Sequence, residues 1–178
     1  MKKEQIIKLC VTGMFTALIC VATMIIQIPA PLAGYVHFGD CFILIAAWIL
    51  GPWWGFAAGG VGSALADLFT GYAHYIPGTL IIKGLMAIAA ALIVHTFLKK
   101  SKKFRLAGFI VSGIAAEAIM VAGYYLFKAT FLQRGWIPTL VNIPSNCVQG
   151  VFGLVLGVVL IQVIVKTGVM KKFRVYAD

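Results

Sequence analysis

The apolar run QIIKLCVTGMFTALICVATMIIQ (Gln5–Gln27) decides the fold class, because it contains 23 residues and a single charge, that of Lys8. A helix that crosses the hydrocarbon core of a bilayer needs about 20 predominantly apolar residues. The run ends before Pro29 and Pro31, which do not continue a helix. It is longer than the apolar core of a signal peptide, typically about 7–15 residues. We therefore interpret it as a retained first transmembrane helix.

The rest of the chain is equally apolar. Of its 178 residues, 62% are hydrophobic and 11% are charged, whereas about a quarter of the residues in soluble domains are charged. A water-soluble fold of this length could not hide so much apolar surface, so lipid must cover much of it. We predict an all-α membrane bundle that forms a single domain over residues 1–178. The six predicted helices lie near Gln5–Gln27, Gly39–Leu50, Gly55–Thr70, Gly78–Leu98, Leu106–Phe127 and Val141–Val165.

The second and third predicted helices are short, and they form either two spans or a re-entrant pair. Both arrangements return the chain to the side on which it started, so the orientation does not depend on the choice. Basic residues concentrate on the cytoplasmic side of membrane proteins. Lys128 and Arg134 lie in an opposite loop and Lys83 lies within a helix, so twelve of the fifteen basic residues share one side. We expect both termini and the loop between the fourth and fifth helices to be cytoplasmic, because they carry Lys2, Lys3, Lys8, Lys99, Lys100, Lys102, Lys103, Arg105, Lys166, Lys171, Lys172 and Arg174.

Polar side chains gather in the outer half of the predicted bundle. A buried polar group is costly in a membrane, so such residues usually mark a functional site. Aromatic rings with a few polar groups suit a pocket for a small, flat, polar molecule. The pattern predicts an outward-facing cavity lined by Tyr35, His37, Asp40, Asp67, Tyr75, Lys83, Asn142 and Asn146.

Other interpretations of these residues are possible from the sequence. Asp67 and Lys83 could form a structural ion pair between two helices, and Lys128 fits an interfacial position. Glu117 is either a protonated packing residue or a site residue. A proton- or sodium-coupled secondary transporter would use Asp67 or Glu117 as its ion-binding group.

The sequence contains no motif of a membrane enzyme or an ATPase. It has no phosphate-binding G-x-x-x-x-G-K-[ST] loop, no H-E-x-x-H and no G-x-S-x-G. Its four cysteines and three histidines do not have the spacing of metal ligands. We expect a binding protein that is not an enzyme and that has neither a metal nor a cofactor.

Several segments resemble one family of membrane proteins. They are GYVHFGD at 34–40, Gly51-Pro52, ALAD at 64–67, GYAHYIP at 71–77 and TLIIKG at 79–84. Together they resemble the substrate-binding S component of energy-coupling-factor (ECF) vitamin transporters. Within that family the chain is most similar to members assigned to pyridoxine-type vitamins or to hydroxymethylpyrimidine.

The resemblance implies a function and a set of partners. An S component of this kind lies in the plasma membrane of a bacterium, has six helices and captures a vitamin from outside. It joins a transmembrane T component and two cytoplasmic ATPases, and it topples in the membrane to release the vitamin. Small residues on the first helix of such proteins contact the T component, and Gly13 and Ala17 match that pattern here.

The predicted orientation is tested by cysteine labelling in intact cells. We expect an impermeant thiol reagent to label a cysteine at position 74 and to leave one at position 101 unlabelled, each measured against the unaltered chain. Labelling at position 101 would contradict the orientation, since that loop carries the largest group of basic residues.

Overall fold

The computed structural model describes residues 3–29, 35–100 and 105–167. Several residues used for the orientation lie outside the described residues, so the orientation stays a prediction. Gly34 of the GYVHFGD segment and labelling position 101 also lie outside them. The basic residues concerned are Lys2, Lys102, Lys103, Lys171, Lys172 and Arg174.

The described chain is almost entirely helical, which confirms the all-α prediction. A short antiparallel pair of strands, β1 (Ile28–Pro29) and β2 (Tyr35–Val36), follows the first helix. The α-helices are α1 (Lys3–Ile25), α2 (Gly39–Leu50), α3 (Pro52–Phe56), α4 (Gly62–Phe69), α5 (Ile76–Lys100), α6 (Arg105–Leu126), α7 (Trp136–Thr139) and α8 (Ile143–Lys166).

Two π-helical turns extend these helices in ways that the sequence does not predict. The turn Ala57–Val61 joins α3 to α4 into one continuous helix, the third of the predicted six. The turn Phe127–Phe131 continues α6. The bundle therefore has six principal helices, as predicted, and α7 is an additional short one.

Four of these helices are long and apolar enough to cross a membrane: α1, α5, α6 and α8 with their extensions. The helix α2 has 12 residues, which corresponds to about 18 Å at about 1.5 Å per residue. That length is less than the hydrocarbon thickness of about 30 Å. A six-span arrangement therefore remains a prediction.

The helix α2 occupies the centre of the bundle. It packs against α1, α3, α5 and α8, and of its residues only Phe42 is more than slightly exposed. The indole nitrogen of Trp48 donates a hydrogen bond to Ser112 Oγ at 2.9 Å, which joins α2 to α6. Close approach of α4 to α1 requires Gly62, because a Cβ there would lie 2.7 Å from the Thr16 carbonyl oxygen.

An ion pair joins α2 to α5 inside the bundle. Lys83 Nζ donates to Asp40 Oδ1 at 2.5 Å, and both side chains are fully buried. The hypothesis that Lys83 pairs with Asp67 is therefore wrong. The physical reason is that α2 packs against α5, which places Asp40 within hydrogen-bond distance of the Lys83 ammonium group. Asp40 is in the first turn of α2, within the predicted helix Gly39–Leu50.

We expect Lys83→Met to destabilise the protein strongly, because it leaves the Asp40 carboxylate buried without its counter-charge. Breaking a buried pair on one side costs about 3–5 kcal/mol, while replacing both charges is often neutral. Thermal unfolding in detergent should show a large fall in Tm for Lys83→Met and recovery of most of it when Asp40→Asn is added. The exposed Lys166→Met is the matched control and should unfold like the wild type. A double variant as unstable as the single one would contradict the pairing.

Candidate ligand-binding site

A polar cavity lies where β2 and the ends of several helices meet. It contains about 430 Å³ of space between atoms, open solvent at its mouth included, and the centre of a water molecule could move within about 40 Å³ of it. It is therefore narrow. Its walls are formed by Tyr35, His37, Asp67, Tyr72, Tyr75, Thr79, Tyr124, Lys128, Asn146 and Gln149.

The β1–β2 pair places Tyr35 over the end of α4. Pairing of Pro29 with Tyr35 fixes the backbone, and the Tyr35 hydroxyl donates to Asp67 Oδ1 at 2.9 Å. Burial and the charge of Asp67 raise the pKa of Tyr35, so its hydroxyl remains a donor. Asp67 is 6% exposed, and its Oδ2 accepts no hydrogen bond from any residue that the structure describes.

His37 is held by backbone and side-chain contacts at the floor of the cavity. Its backbone N–H donates to Gln149 Oε1 at 3.2 Å, and its Nδ1 accepts from the Gly39 N–H at 3.0 Å. Burial lowers the pKa of His37 to about 4, so the ring is neutral at neutral pH. Glycine is required at position 39, because a Cβ would lie 2.9 Å from Nδ1 and even closer to Thr23 Oγ1.

Gln149 connects this floor to the buried ion pair. Its Nε2 donates to Asp40 Oδ2 at 2.6 Å, so both oxygens of Asp40 have a partner. Lys83 Nζ also lies 5.4 Å from the centre of the Tyr124 ring, which is part of the cavity wall. Asp40 and Lys83 thus do not line the cavity themselves but contact two residues of its wall, Gln149 and Tyr124.

Lys128, interpreted from the sequence as an interfacial residue, is part of the cavity wall. It is 4% exposed, and Nζ donates to Asn142 Oδ1 at 2.6 Å. Nζ also lies 5.6 Å from the centre of the Tyr75 ring. Lys128 lies in the π turn Phe127–Phe131, and its side chain reaches Asn142.

Aromatic rings form much of the remaining wall. The Tyr35 and Tyr72 rings meet edge to face with centroids 5.1 Å apart, and Tyr72 meets Tyr75 at 6.1 Å. His74 packs on Tyr75 at 4.6 Å but does not line the cavity. Ring faces and edges of this kind hold a flat molecule through stacking and edge contacts.

The structure brings most of the predicted site residues together. Tyr35, His37, Asp67, Tyr75 and Asn146 line the cavity, while Asp40, Lys83 and Asn142 lie behind its wall. The prediction did not include five lining residues. Helical spacing could have identified two of them, because Gln149 follows Asn146 by three residues and Lys128 follows Tyr124 by four. The five omitted residues are Tyr72, Thr79, Tyr124, Lys128 and Gln149.

Glu117 lies outside this cavity, between α6 and α8. It is 7% exposed, and neither carboxyl oxygen has a hydrogen-bond partner among the residues that the structure describes. A Cβ on Gly153 would lie 2.9 Å from both Glu117 Oε1 and Asp40 Cβ. Glu117 therefore packs close to the ion pair.

Gly13 and Ala17 lie on an exposed face of α1. A Cβ at Gly13 would meet no atom within 4 Å. Packing within the described chain therefore does not explain the small residue at this position. The face is open to lipid or to another protein.

The sequence matches the family model described as ECF-type riboflavin transporter, S component, over residues 3–166. It is 36% identical over 142 residues to an uncharacterised protein of Pyrococcus woesei, covering 78% of this chain and 88% of that protein. It is 28% identical over 176 residues to the thiamine precursor transporter HmpT of Lactococcus lactis subsp. cremoris, covering 98% and 97% of the two chains.

A solved structure, that of the S component of a bacterial ECF transporter, has the same fold. The TM-score is 0.67 at 21% sequence identity, and the match covers 92% of this chain and 98% of that one. The family match spans the six principal helices and the whole cavity. The chain therefore belongs to the family of S components of ECF-type riboflavin transporters.

Proposed function

We propose that this S component captures a small, neutral heteroaromatic vitamin or vitamin precursor from outside the cell in the polar cavity. Pyridoxine-type vitamins and hydroxymethylpyrimidine are the two candidates. The main support is a cavity that combines aromatic walls with a buried carboxylate oxygen that accepts no hydrogen bond from the described residues. The thiamine precursor transporter HmpT, which aligns with nearly the whole chain, supports the same class of ligand.

Size and charge narrow the ligand class. The space open to the centre of a water molecule, about 40 Å³, is far below the roughly 300–1,000 Å³ of typical small-molecule sites, so the cavity favours a small ligand. One carboxylate, Asp67, and one ammonium group, Lys128, stand on its walls. Their charges offset each other, so the cavity has no excess positive charge for a phosphate ester. A neutral single-ring compound fits both properties.

The remaining cavity residues supply hydrogen bonds in place of water. In this proposal Tyr35, His37, Asp67, Tyr75 and Asn146 contact the ligand, and Asp40, Lys83 and Asn142 hold the wall in place. Lys128 and Gln149 are also proposed to contact the ligand. A polar group that leaves water needs a replacement partner, and the cavity offers both donors and acceptors.

The chain has no ATPase motif, so delivery driven by ATP would depend on a separate motor. We propose that the exposed face of α1 around Gly13 and Ala17 docks on a T component, which associates with two ATPases. Toppling of the S component then carries the ligand inward. Uptake by the chain alone, driven by an ion gradient, would instead favour the ion-coupled alternative through Asp67 or Glu117.

We expect Asn146→Ala to weaken binding of hydroxymethylpyrimidine or pyridoxine without unfolding the protein. Loss of one buried hydrogen-bond partner costs about 1–3 kcal/mol, which is roughly a 5- to 150-fold rise in Kd. The measurement is isothermal titration of the purified chain in detergent.

Gln162→Ala is the matched control for this variant. It removes an amide from the same helix, α8, at a position that does not line the cavity. Its Kd should equal that of the wild type. Equal affinity in Asn146→Ala and the wild type would remove Asn146 from the site.

We expect Gly13→Leu and Ala17→Leu to abolish uptake in cells that supply the T component and ATPases, while ligand affinity stays unchanged. A larger side chain on a face of small residues blocks close approach of another helix. Ala118→Leu, an exposed small residue on α6, is the control and should retain uptake. Parallel loss of binding and uptake would contradict docking through this face.

A further inference from the structure

Two polar groups on the walls of the cavity have unused hydrogen-bonding capacity. One can accept a further hydrogen bond, and the other can donate one. One is an acceptor on Asp67 and the other is a donor on His37. The positions of these two groups indicate which hydrogen-bonding groups a ligand must carry, which the size of the cavity alone does not. The inference rests on the proposed function, that the cavity takes a small ring.

The acceptor is Asp67 Oδ2. Its sister atom Oδ1 already accepts from the Tyr35 hydroxyl at 2.9 Å, which fixes the orientation of the carboxylate. The Thr79 hydroxyl is close enough to interact with this carboxylate, but it forms no hydrogen bond of normal geometry with Oδ2 and instead pairs with the Tyr124 hydroxyl at 3.1 Å. Oδ2 is buried and accepts nothing from the described part of the chain. A buried acceptor without a donor is costly, so a donor from the ligand would be strongly favoured.

The donor is the Nε2–H group of His37. A neutral imidazole has one nitrogen that accepts and one that donates. Nδ1 accepts from the Gly39 N–H at 3.0 Å, so the proton resides on Nε2. Nε2 then faces the Gln149 amide nitrogen at 3.4 Å. That nitrogen is also a donor, because it donates to Asp40. The contact satisfies neither group, and an acceptor on the ligand would satisfy Nε2–H.

We propose that Asp67 determines specificity by accepting a hydrogen bond at Oδ2 from an amino group on the ligand ring, while His37 Nε2–H donates to an acceptor elsewhere on the same ligand. The ligand class is a neutral amino-substituted heteroaromatic ring that carries a hydroxyl or ring-nitrogen acceptor. A ring with an oxo group in place of the amino group presents an acceptor to the carboxylate and is rejected.

The test compares three pyrimidines that share a hydroxymethyl group. The first has a ring amino group, the second has hydrogen in its place, and the third has an oxo group. Titration of the full chain in detergent gives the three Kd values. The wild type should bind the amino compound roughly 5- to 150-fold more tightly than the hydrogen compound, and the oxo compound least.

Asp67→Asn should reverse the preference between the amino and oxo compounds. The Tyr35 hydroxyl donates, so it keeps the amide oxygen on its side. The amide nitrogen then takes the place of Oδ2 and presents a donor to the ligand. Glu117→Gln makes the same chemical change at a buried acid outside the cavity, and it should preserve the wild-type order.

The outcomes distinguish the two proposals. Equal binding of the amino and hydrogen compounds by the wild type would overturn the role of Asp67 and leave the proposed function standing. Equal weakening of all three compounds by Asp67→Asn would assign Asp67 a purely structural role and would also overturn it. If pyridoxine and all three pyrimidines failed to bind the wild type, the proposed function would fail and this inference with it. The Kd values of the amino and hydrogen compounds for the wild type test the role of Asp67 even if Asp67→Asn does not fold.

Discussion

The buried ion pair between Lys83 and Asp40 is the interaction on which the rest of the structure depends. Removing two charges from water is costly, and the cost is offset only when geometry and further hydrogen bonds are favourable. Here Gln149 supplies the further bond, so α2, α5 and α8 are joined at one point. Gln149 also accepts from the His37 backbone. The position of His37 in the cavity therefore depends on a pair of charges that the cavity itself does not expose.

This arrangement separates polar groups that have their partners within the protein from polar groups that line the cavity. The ion pair and the Gln149 amide that binds it have their hydrogen-bond partners within the protein, and they hold the wall of the cavity in place. On the cavity wall, Asp67 Oδ2 has no hydrogen-bond partner among the described residues, and His37 Nε2 faces the Gln149 amide nitrogen, which is itself a donor. A membrane protein that buries such atoms without a ligand is less stable, because a buried polar group without a hydrogen bond loses its interaction with water. The loss is understandable if a ligand supplies the missing partners during part of the transport cycle, and the family assignment is consistent with this account.

Much of the fold follows from local properties of the sequence, while part of the site does not. Apolar length predicts the principal helices, and the bounds Gly39–Leu50 agree with the structure because Gly51, with φ 85°, ends the helix. Helical spacing also predicts that Asn146 faces inward. The partner of Lys83 depends on how α2 lies against α5, and a sequence pattern does not contain that distance. Helical spacing places Lys128 on the same face as Tyr124, but its hydrogen bond to Asn142 depends on a distance between two segments that a sequence pattern does not contain.

The central claim is that the cavity holds a small neutral ring, although the family model is named for riboflavin, a larger molecule. Mass spectrometry of the protein, purified from cells grown with a full set of vitamins, tests this claim most directly, because it presumes no ligand. We predict one bound molecule per chain, with a single heteroaromatic ring and no phosphate. A bound flavin or phosphate ester, or the absence of any bound molecule, would contradict the account.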